Sequence, residues 1–188
     1  LIKFSMKKKI IITGGLGYIG TELCKLYSGV SWHHQIIVFD NRFISERVSQ
    51  IRNWNMEFVQ GDILDKSLID KYFKDADVVH HLAGITAVPR VKSEANEENE
   101  KQIEQVAKEG TQNILDAISD NCKILVPSTH VVYEGMKDVK EDISENDKTC
   151  PILSYGKSKD FNEKQIKSSG KNFIILRLGS VYGYSTDT

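Results

Sequence analysis

Tyr155 and Lys159 stand four residues apart in 151-PILSYGKSK-159. On a helix that spacing puts both side chains on one face. A phenol ordinarily titrates near ~10, and a neighbouring ammonium favours its ionised form. Lowering the value by ~3 units takes about 4 kcal/mol of differential stabilisation. A phenol held that way is a general base near neutral pH. The pattern also occurs on ordinary amphipathic helices, so its chemistry depends on the surroundings. Ser128 and Thr129, in 127-PSTHVVYEG-135, are both placed to hydrogen-bond a substrate alcohol.

A second constellation lies near the start of the chain. Gly14, Gly17 and Gly20 form G-x-x-G-x-x-G between a β-branched run and a helical pattern. Bare backbone there allows a tight turn and lets a pyrophosphate approach a helix N-terminus, whose N–H groups and dipole hold the anion. A glycine triplet alone is a weak signal, but Asp40 closes the next strand-like run, twenty positions after Gly20. An acid there accepts hydrogen bonds from a ribose 2′-hydroxyl and repels a 2′-phosphate, which favours NAD over NADP. Arg42 is the nearby cation that speaks the other way. A bound NAD would add its positive ring to the ammonium that lowers the Tyr155 pKa.

The elements that must position these residues alternate. Strand-like runs cover 9–13, 35–40, 56–60, 77–82, 123–127 and 172–178. Helical patterns cover 17–28, 46–53, 66–73, 96–119 and 154–168, with a polar loop over 134–150. The third helix carries Leu68, Ile69 and Tyr72 at helical spacing. Strands alternating with helices predict right-handed βαβ units in a Rossmann-like, doubly wound parallel sheet with three α/β/α layers. Ligands of such sheets bind at the carboxyl ends of the strands, where Ser128 and Thr129 fall.

Composition narrows the function classes. The chain has 188 residues, 25 basic against 26 acidic, for a net charge of -1. No basic stripe points to nucleic acid and no apolar run approaches the ~20 residues of a membrane span. Lys7, Lys8 and Lys9 read as a solvated lead into the first strand, and 94-EANEENEKQIEQ-105 as a solvated helix face. Cys24, Cys122 and Cys150 are scattered, which indicates reduced thiols and a cytoplasmic setting. His80 and His81 on a strand read as packing residues and His33-His34 as a loop pair, so no metal is expected. The opening LIKFSMKKK has no signal-peptide pattern; Met6 reads as the native start, with residues 1–5 upstream of it.

Seven segments, in order along nearly the whole chain, resemble the extended short-chain dehydrogenase/reductase family, and within it the NAD-dependent nucleotide-sugar epimerases and dehydratases. They are TGGLGYIG (13–20), VFDN (38–41), GDI (61–63), HLAG (81–84), STHVVYEG (128–135), YGKSK (155–159) and LRLGSVYG (176–183). The resemblance implies roles. Tyr18 and Ile19 would meet the pyrophosphate through their backbone, Asp40 and Asn41 the adenosine ribose, and Asp62 and Ile63 the adenine. Leu82, Ala83 and Gly84 would line the cofactor, with Thr86 near its ribose or phosphate. Leu178, Gly179 and Ser180 would pass the nicotinamide. Thr129, four residues before Tyr133, would bond the sugar hydroxyl being oxidised, and Lys159 would hold the nicotinamide ribose. Tyr155 would take the proton of the sugar 4-hydroxyl while C4 gives hydride to NAD, leaving a 4-keto sugar to be reduced on its other face, eliminated or released.

Departures from the family pattern narrow the reaction. The 4,6-dehydratases follow the catalytic threonine with Asp-Glu; here His130 and Val131 stand there, and valine cannot transfer a proton. The resemblance therefore favours 4-epimerisation over dehydration, decarboxylation or net reduction; HLAGITAV (81–88) also looks like the epimerase segment. His130 itself reads as either a pocket-lining or a proton-transfer residue. Ala107, Ser180 and Tyr184 replace the usual Asn, Asn and Pro, so substrate contacts should be unusual. The resemblance also implies a homodimer through helices at about 96–119 and 154–169, a UDP-, dTDP- or GDP-sugar substrate, and a C-terminal substrate region largely absent from this chain. From a different class, a non-catalytic NAD-binding scaffold needs only the glycine turn and Asp40; Thr129, Tyr155 and Lys159 together speak against it.

Overall fold

The computed structural model describes residues 7–86, 97–137 and 142–183. Expectations for Met6 and residues 1–5, for Ala87 and Val88, for 94–96 and for Tyr184 lie outside them.

The apolar runs at the centre of the sheet become strands because each has two apolar faces to bury. In β1 (Lys9–Thr13), Ile10 and Ile12 enter one core and Ile11 the other. In β2 (Gln35–Asp40), Ile36 and Val38 share the first core while Ile37 and Phe39 face the second. The period-two alternation thus feeds two cores, one on each side of the sheet. The first is closed by α1 (Tyr18–Ser28), through Cys24, and α2 (Ser45–Asn53), through Val48 and Ile51. The second is closed by α3 (Lys66–Phe73), α5 (Thr111–Ala117) and α6 (Ser154–Ser168), with α4 (Glu97–Gln105) packed against α6. Its members include Ile69 and Phe73 from α3, Ile114 from α5 and Ile166 from α6.

Six parallel strands run in the order β3-β2-β1-β4-β5-β6, with β3 at Glu57–Gln60, β4 at Val78–His81, β5 at Lys123–Thr129 and β6 at Asn172–Leu178. The order reverses between β1 and β4, which opens a crevice at their carboxyl ends. This is the three-layer, doubly wound fold expected from the alternation. Among the described residues no helix is long and apolar enough to cross a membrane and no His/Cys/Asp/Glu group could hold a metal ion. The three cysteines are free; Cys24 and Cys122 are buried and Cys150 is exposed.

Two elements depart from the sequence expectation. The helix expected over 96–119 is broken by a π-helical turn, Val106–Gly110, and α5 ends at Ala117. The break has a packing cause. A Cβ on Gly110 would stand 2.4 Å from Ile63 Cδ1, so the helix there must lie against the end of the third βα unit. The widened turn turns the Ala107 carbonyl outward, and in the amide orientation its neighbours require, Asn162 of α6 donates to it at 3.2 Å. β5 runs two residues beyond the expected Pro127 because β6 keeps pairing with it after β4 has ended. Pro127 registers with Leu176 and Thr129 with Leu178, whereas β4 pairs only as far as Leu125.

Candidate active site

The switch-point crevice is a cleft of about 710 Å³. The glycine turn forms one wall. Gly14 has φ +64°, and a Cβ there would stand 2.8 Å from the Ala83 backbone nitrogen. A Cβ on Gly20 would stand 2.4 Å from the Gly14 carbonyl oxygen and 2.6 Å from Gly15 Cα, so α1 seats directly on the turn. Gly17 caps α1 without a side-chain bond, and the first turn carries no acidic residue. The first N–H groups and the dipole are therefore presented to the cleft without competition from a local carboxylate. Gly17, Tyr18 and Ile19 line the cleft at that point.

Asp40 braces the turn as well as lining the cleft. Its Oδ2 accepts from the Leu16 N–H at 2.9 Å, and its Oδ1 from the Arg42 N–H at 3.0 Å and Nε at 3.3 Å. Arg42, half exposed, thus spends its charge on Asp40 while its guanidinium lies beside Gly17. Arg47 of α2, read from sequence only as part of a helix, is buried and donates to the Leu16 carbonyl. A cation at a buried helix position was the available signal. Next along the cleft, Asn41 Nδ2 donates to Asp62 at 3.1 Å, and the Ile63 carbonyl accepts from Asn113 Nδ2 at 3.0 Å. Leu82, Ala83, Gly84 and Thr86 form the floor beyond β4, with the Ala83 N–H held by Thr13 Oγ1 at 3.1 Å. Gln102 and Val106 also line the cleft and were not anticipated; their four-residue spacing on a polar helix carries no sign of which face turns inward.

At the far end the structure gathers Thr129, Tyr155 and Lys159. Thr129 is buried at the tip of β5, and its Oγ1 accepts from the Val131 N–H at 3.2 Å. Lys159 Nζ donates to the Pro127 carbonyl at 3.1 Å and sits 5.8 Å from the Tyr155 ring centroid. Burial pulls the Lys159 ammonium down to about 8. Burial also pushes the Tyr155 phenol above its ordinary value, opposite to the direction expected from sequence. Desolvation of the phenolate outweighs an ammonium that faces the ring and donates its hydrogen bond to the Pro127 carbonyl. The protein groups alone therefore do not ionise Tyr155.

Ser128 and Thr129 both line the cleft, as read from the sequence; the Ser128 hydroxyl donates to Glu163 Oε1 at 2.6 Å, which leaves Thr129 as the hydroxyl of the two free to donate to a ligand. One sequence reading is corrected here. Ser180 is exposed and outside the cleft lining; Leu178, Gly179 and Val181 supply that wall as the chain leaves β6. His130 Nδ1 lies 3.3 Å from the Leu178 carbonyl, to which it can donate, and so bridges the ends of β5 and β6. His80 and His81 are packing residues. His80 Nε2 pairs with the Tyr27 hydroxyl at 2.8 Å, and His81 lies between Thr13 and Thr111, 3.0 Å from each hydroxyl.

A cleft that runs from an uncapped helix N-terminus, past a strand-ending acid, to a Tyr–Lys pair is shaped for an extended diphosphate ligand crossing the sheet. It makes this a dinucleotide-binding domain of the short-chain dehydrogenase/reductase kind. A family model agrees and is more specific: residues 10–188 match the NAD dependent epimerase/dehydratase family, an enzyme family to which the chain belongs. The chain is 29% identical to CDP-paratose 2-epimerase of Salmonella typhi, over 93% of this chain and 58% of that protein. It is 31% identical to UDP-glucose 4-epimerase of Neisseria meningitidis serogroup C, over 94% of this chain and 54% of that protein. The crystal structure of UDP-glucuronic acid 4-epimerase from Bacillus cereus in complex with NAD superposes with a TM-score of 0.75 at 25% identity, covering 96% of this chain and 60% of that one. The chain thus spans rather more than half the length of these relatives.

Proposed function

We propose that this chain is the cofactor-binding and catalytic part of an NAD-dependent nucleotide-sugar 4-epimerase. The observation that carries the choice of reaction is the distribution of acids in the cleft. Among the described residues, its lining carboxylates are Asp40 and Asp62, both at the β2–β3 side, away from Thr129 and Tyr155. Position 131 holds valine, and Glu134 accepts from the Ile152 and Leu153 N–H groups at 2.5 and 2.6 Å, ahead of α6. Dehydration needs an acid and a base at the sugar's C5 and C6, and among the described residues no carboxylate of the cleft lining stands beside Thr129. Proton transfer at a single hydroxyl needs only what is there.

The residues present fit NAD. Gly14 and Gly20 let the turn, the β4 end and α1 close up backbone to backbone, so that the helix N-terminus at Gly17, Tyr18 and Ile19 lines the cleft, and Asp40 suits a free ribose hydroxyl better than a phosphate. When bound, NAD supplies a reversible two-electron acceptor for the sugar C4. Thr129 holds the sugar 4-hydroxyl through its Oγ1. Tyr155 accepts the proton of that hydroxyl and returns it after the sugar has presented its other face. Lys159 supplies positive charge beside the phenol and a donor for a ribose hydroxyl. Leu82, Ala83 and Leu178 exclude water from the reacting end. The same reading has the protein work as a homodimer through α4–α6, in the cytoplasm, where the buried thiols Cys24 and Cys122 stay reduced.

The test is a panel of UDP-, dTDP-, GDP- and CDP-sugars given to the longest natural form of the protein, with products resolved by mass spectrometry and NMR. Interconversion of one pair of 4-epimers without net NADH formation is expected. A 4-keto-6-deoxy product, release of CO2 or accumulating NADH would replace epimerisation by one of the other reactions of the family. Cofactor binding with no sugar converted would favour the scaffold reading.

A further inference from the structure

Tyr155, Lys159 and Glu163 follow one another at four-residue spacing on α6. Glu163 takes no part in the chemistry proposed above, yet it is 3% exposed and accepts four hydrogen bonds. Its Oε1 accepts from Ser128 Oγ at 2.6 Å and Arg177 Nε at 2.9 Å. Its Oε2 accepts from Arg177 Nη2 at 2.6 Å and Lys167 Nζ at 3.2 Å. Four donors fill the carboxylate's lone-pair sites. Arg177 on β6 registers with Ser128 on β5, so one carboxylate straps α6 across both strands. The free end of the guanidinium goes on to Tyr133 Oη and, at 3.0 Å, to the Glu145 carbonyl. Tyr133 in turn donates to the Ser144 carbonyl at 2.8 Å.

We infer that Glu163 is a positioning residue, which through Ser128 fixes the depth and rotation of α6 against the end of β5 so that Tyr155 and Thr129 meet at one substrate oxygen. The inference rests on the reading of Tyr155 as the base. Its geometry is direct: Ser128 immediately precedes Thr129, and Tyr155 lies two helical turns before Glu163, about 12 Å along the axis at 1.5 Å per residue. An apolar contact would hold the helix down but let it slide. A carboxylate gripped by a bidentate guanidinium and a serine hydroxyl fixes both depth and rotation. Stability alone is a poor account, because a buried ion pair returns little net stability over apolar packing of the same volume. Precision is a better one, because a misplacement of about 1 Å can cost on the order of 100-fold in rate.

The test is a double-mutant cycle of Ser128→Ala and Glu163→Gln in the longest natural form, with Tyr155→Phe alongside and with kcat, sugar KM, retained NAD and melting temperature measured. Ser128→Ala deletes one bond and leaves the ion pair intact, so it decides the matter even where Glu163→Gln fails to fold. The expected result is a fall in kcat of roughly 10- to 100-fold with KM and retained NAD unchanged, and no further loss when both substitutions are combined. An unchanged kcat in Ser128→Ala, with Tyr155→Phe inactive, overturns the inference and leaves the base assignment standing. A raised KM or lost NAD at unchanged kcat also overturns it, since Ser128 would then touch a ligand directly. An active Tyr155→Phe removes the base reading itself.

Discussion

Tyr155→Phe is expected to lower kcat by roughly 100- to 10,000-fold while the protein folds and keeps its cofactor. That is the range assigned to a positioned general base. The substitution keeps the ring that lines the cleft and removes only the oxygen. The glycine turn, Asp40 and the β4 floor, which shape the rest of the cleft, are held by bonds that do not involve that oxygen. The measurement is kcat beside the molar ratio of NAD to protein in the purified variant. Loss of rate with an unchanged ratio supports the assignment. A rate within a few-fold of the parent would move the base to another group. Because burial raises the Tyr155 phenol, the free protein should also show no phenolate absorbance for this residue at neutral pH.

The second large effect is acid lability set by His81. Burial, helped by the Lys159 charge, pushes this imidazole down to about 3, from 6.5 in a solvated chain. It stays neutral between two threonine hydroxyls, and an unfolded chain below pH 6.5 binds a proton that the folded chain refuses. Stability is therefore fully present above pH 6.5 and falls as pH drops toward 3, at up to about 1.4 kcal/mol per unit. His80, also lowered by burial, acts in the same direction. Glu163 does not contribute to the upper part of this window. Burial raises its carboxyl, but bonds from Arg177, Ser128 and Lys167 outweigh that and hold it at about 2, so its share is lost only below pH 4.5. Lys159, at about 8 against 10.5, changes stability only on the alkaline side. Urea titrations between pH 7 and 4.5 should lose about 2 to 3 kcal/mol. His81→Gln should be less stable at pH 7 but show a clearly flatter slope. An equal slope in both proteins would contradict the assignment.

The sheet was legible because its central strands, β1 and β2, are short apolar runs whose alternate residues serve two cores, so no polar face blurs them. The glycine turn was legible because Gly14 and Gly20 meet backbone where a side chain would stand. The Tyr–Lys pair was legible because α6 is one unbroken helix. What escaped depended on neighbours distant in sequence. The π turn at Val106–Gly110 follows from Ile63 pressing on Gly110. The extension of β5 past a proline follows from β6 outlasting β4. The fate of the Ser128 hydroxyl was set 35 residues on, by Glu163. Ser180 was placed at the cleft by pattern, but Val181 turns in. The upward shift of Tyr155 is a balance of desolvation against charge, and residue spacing gives only the charge.

The claim that the chain works through a cofactor recycled within each turnover has a direct test. The longest natural form would be purified without added nucleotide and denatured, and the released small molecules identified by ultraviolet spectrum and mass spectrometry. The account predicts NAD at close to one molecule per chain. A protein that releases no dinucleotide and binds NAD or NADP only weakly and exchangeably would contradict it, and would point instead to net oxidation or reduction of a substrate.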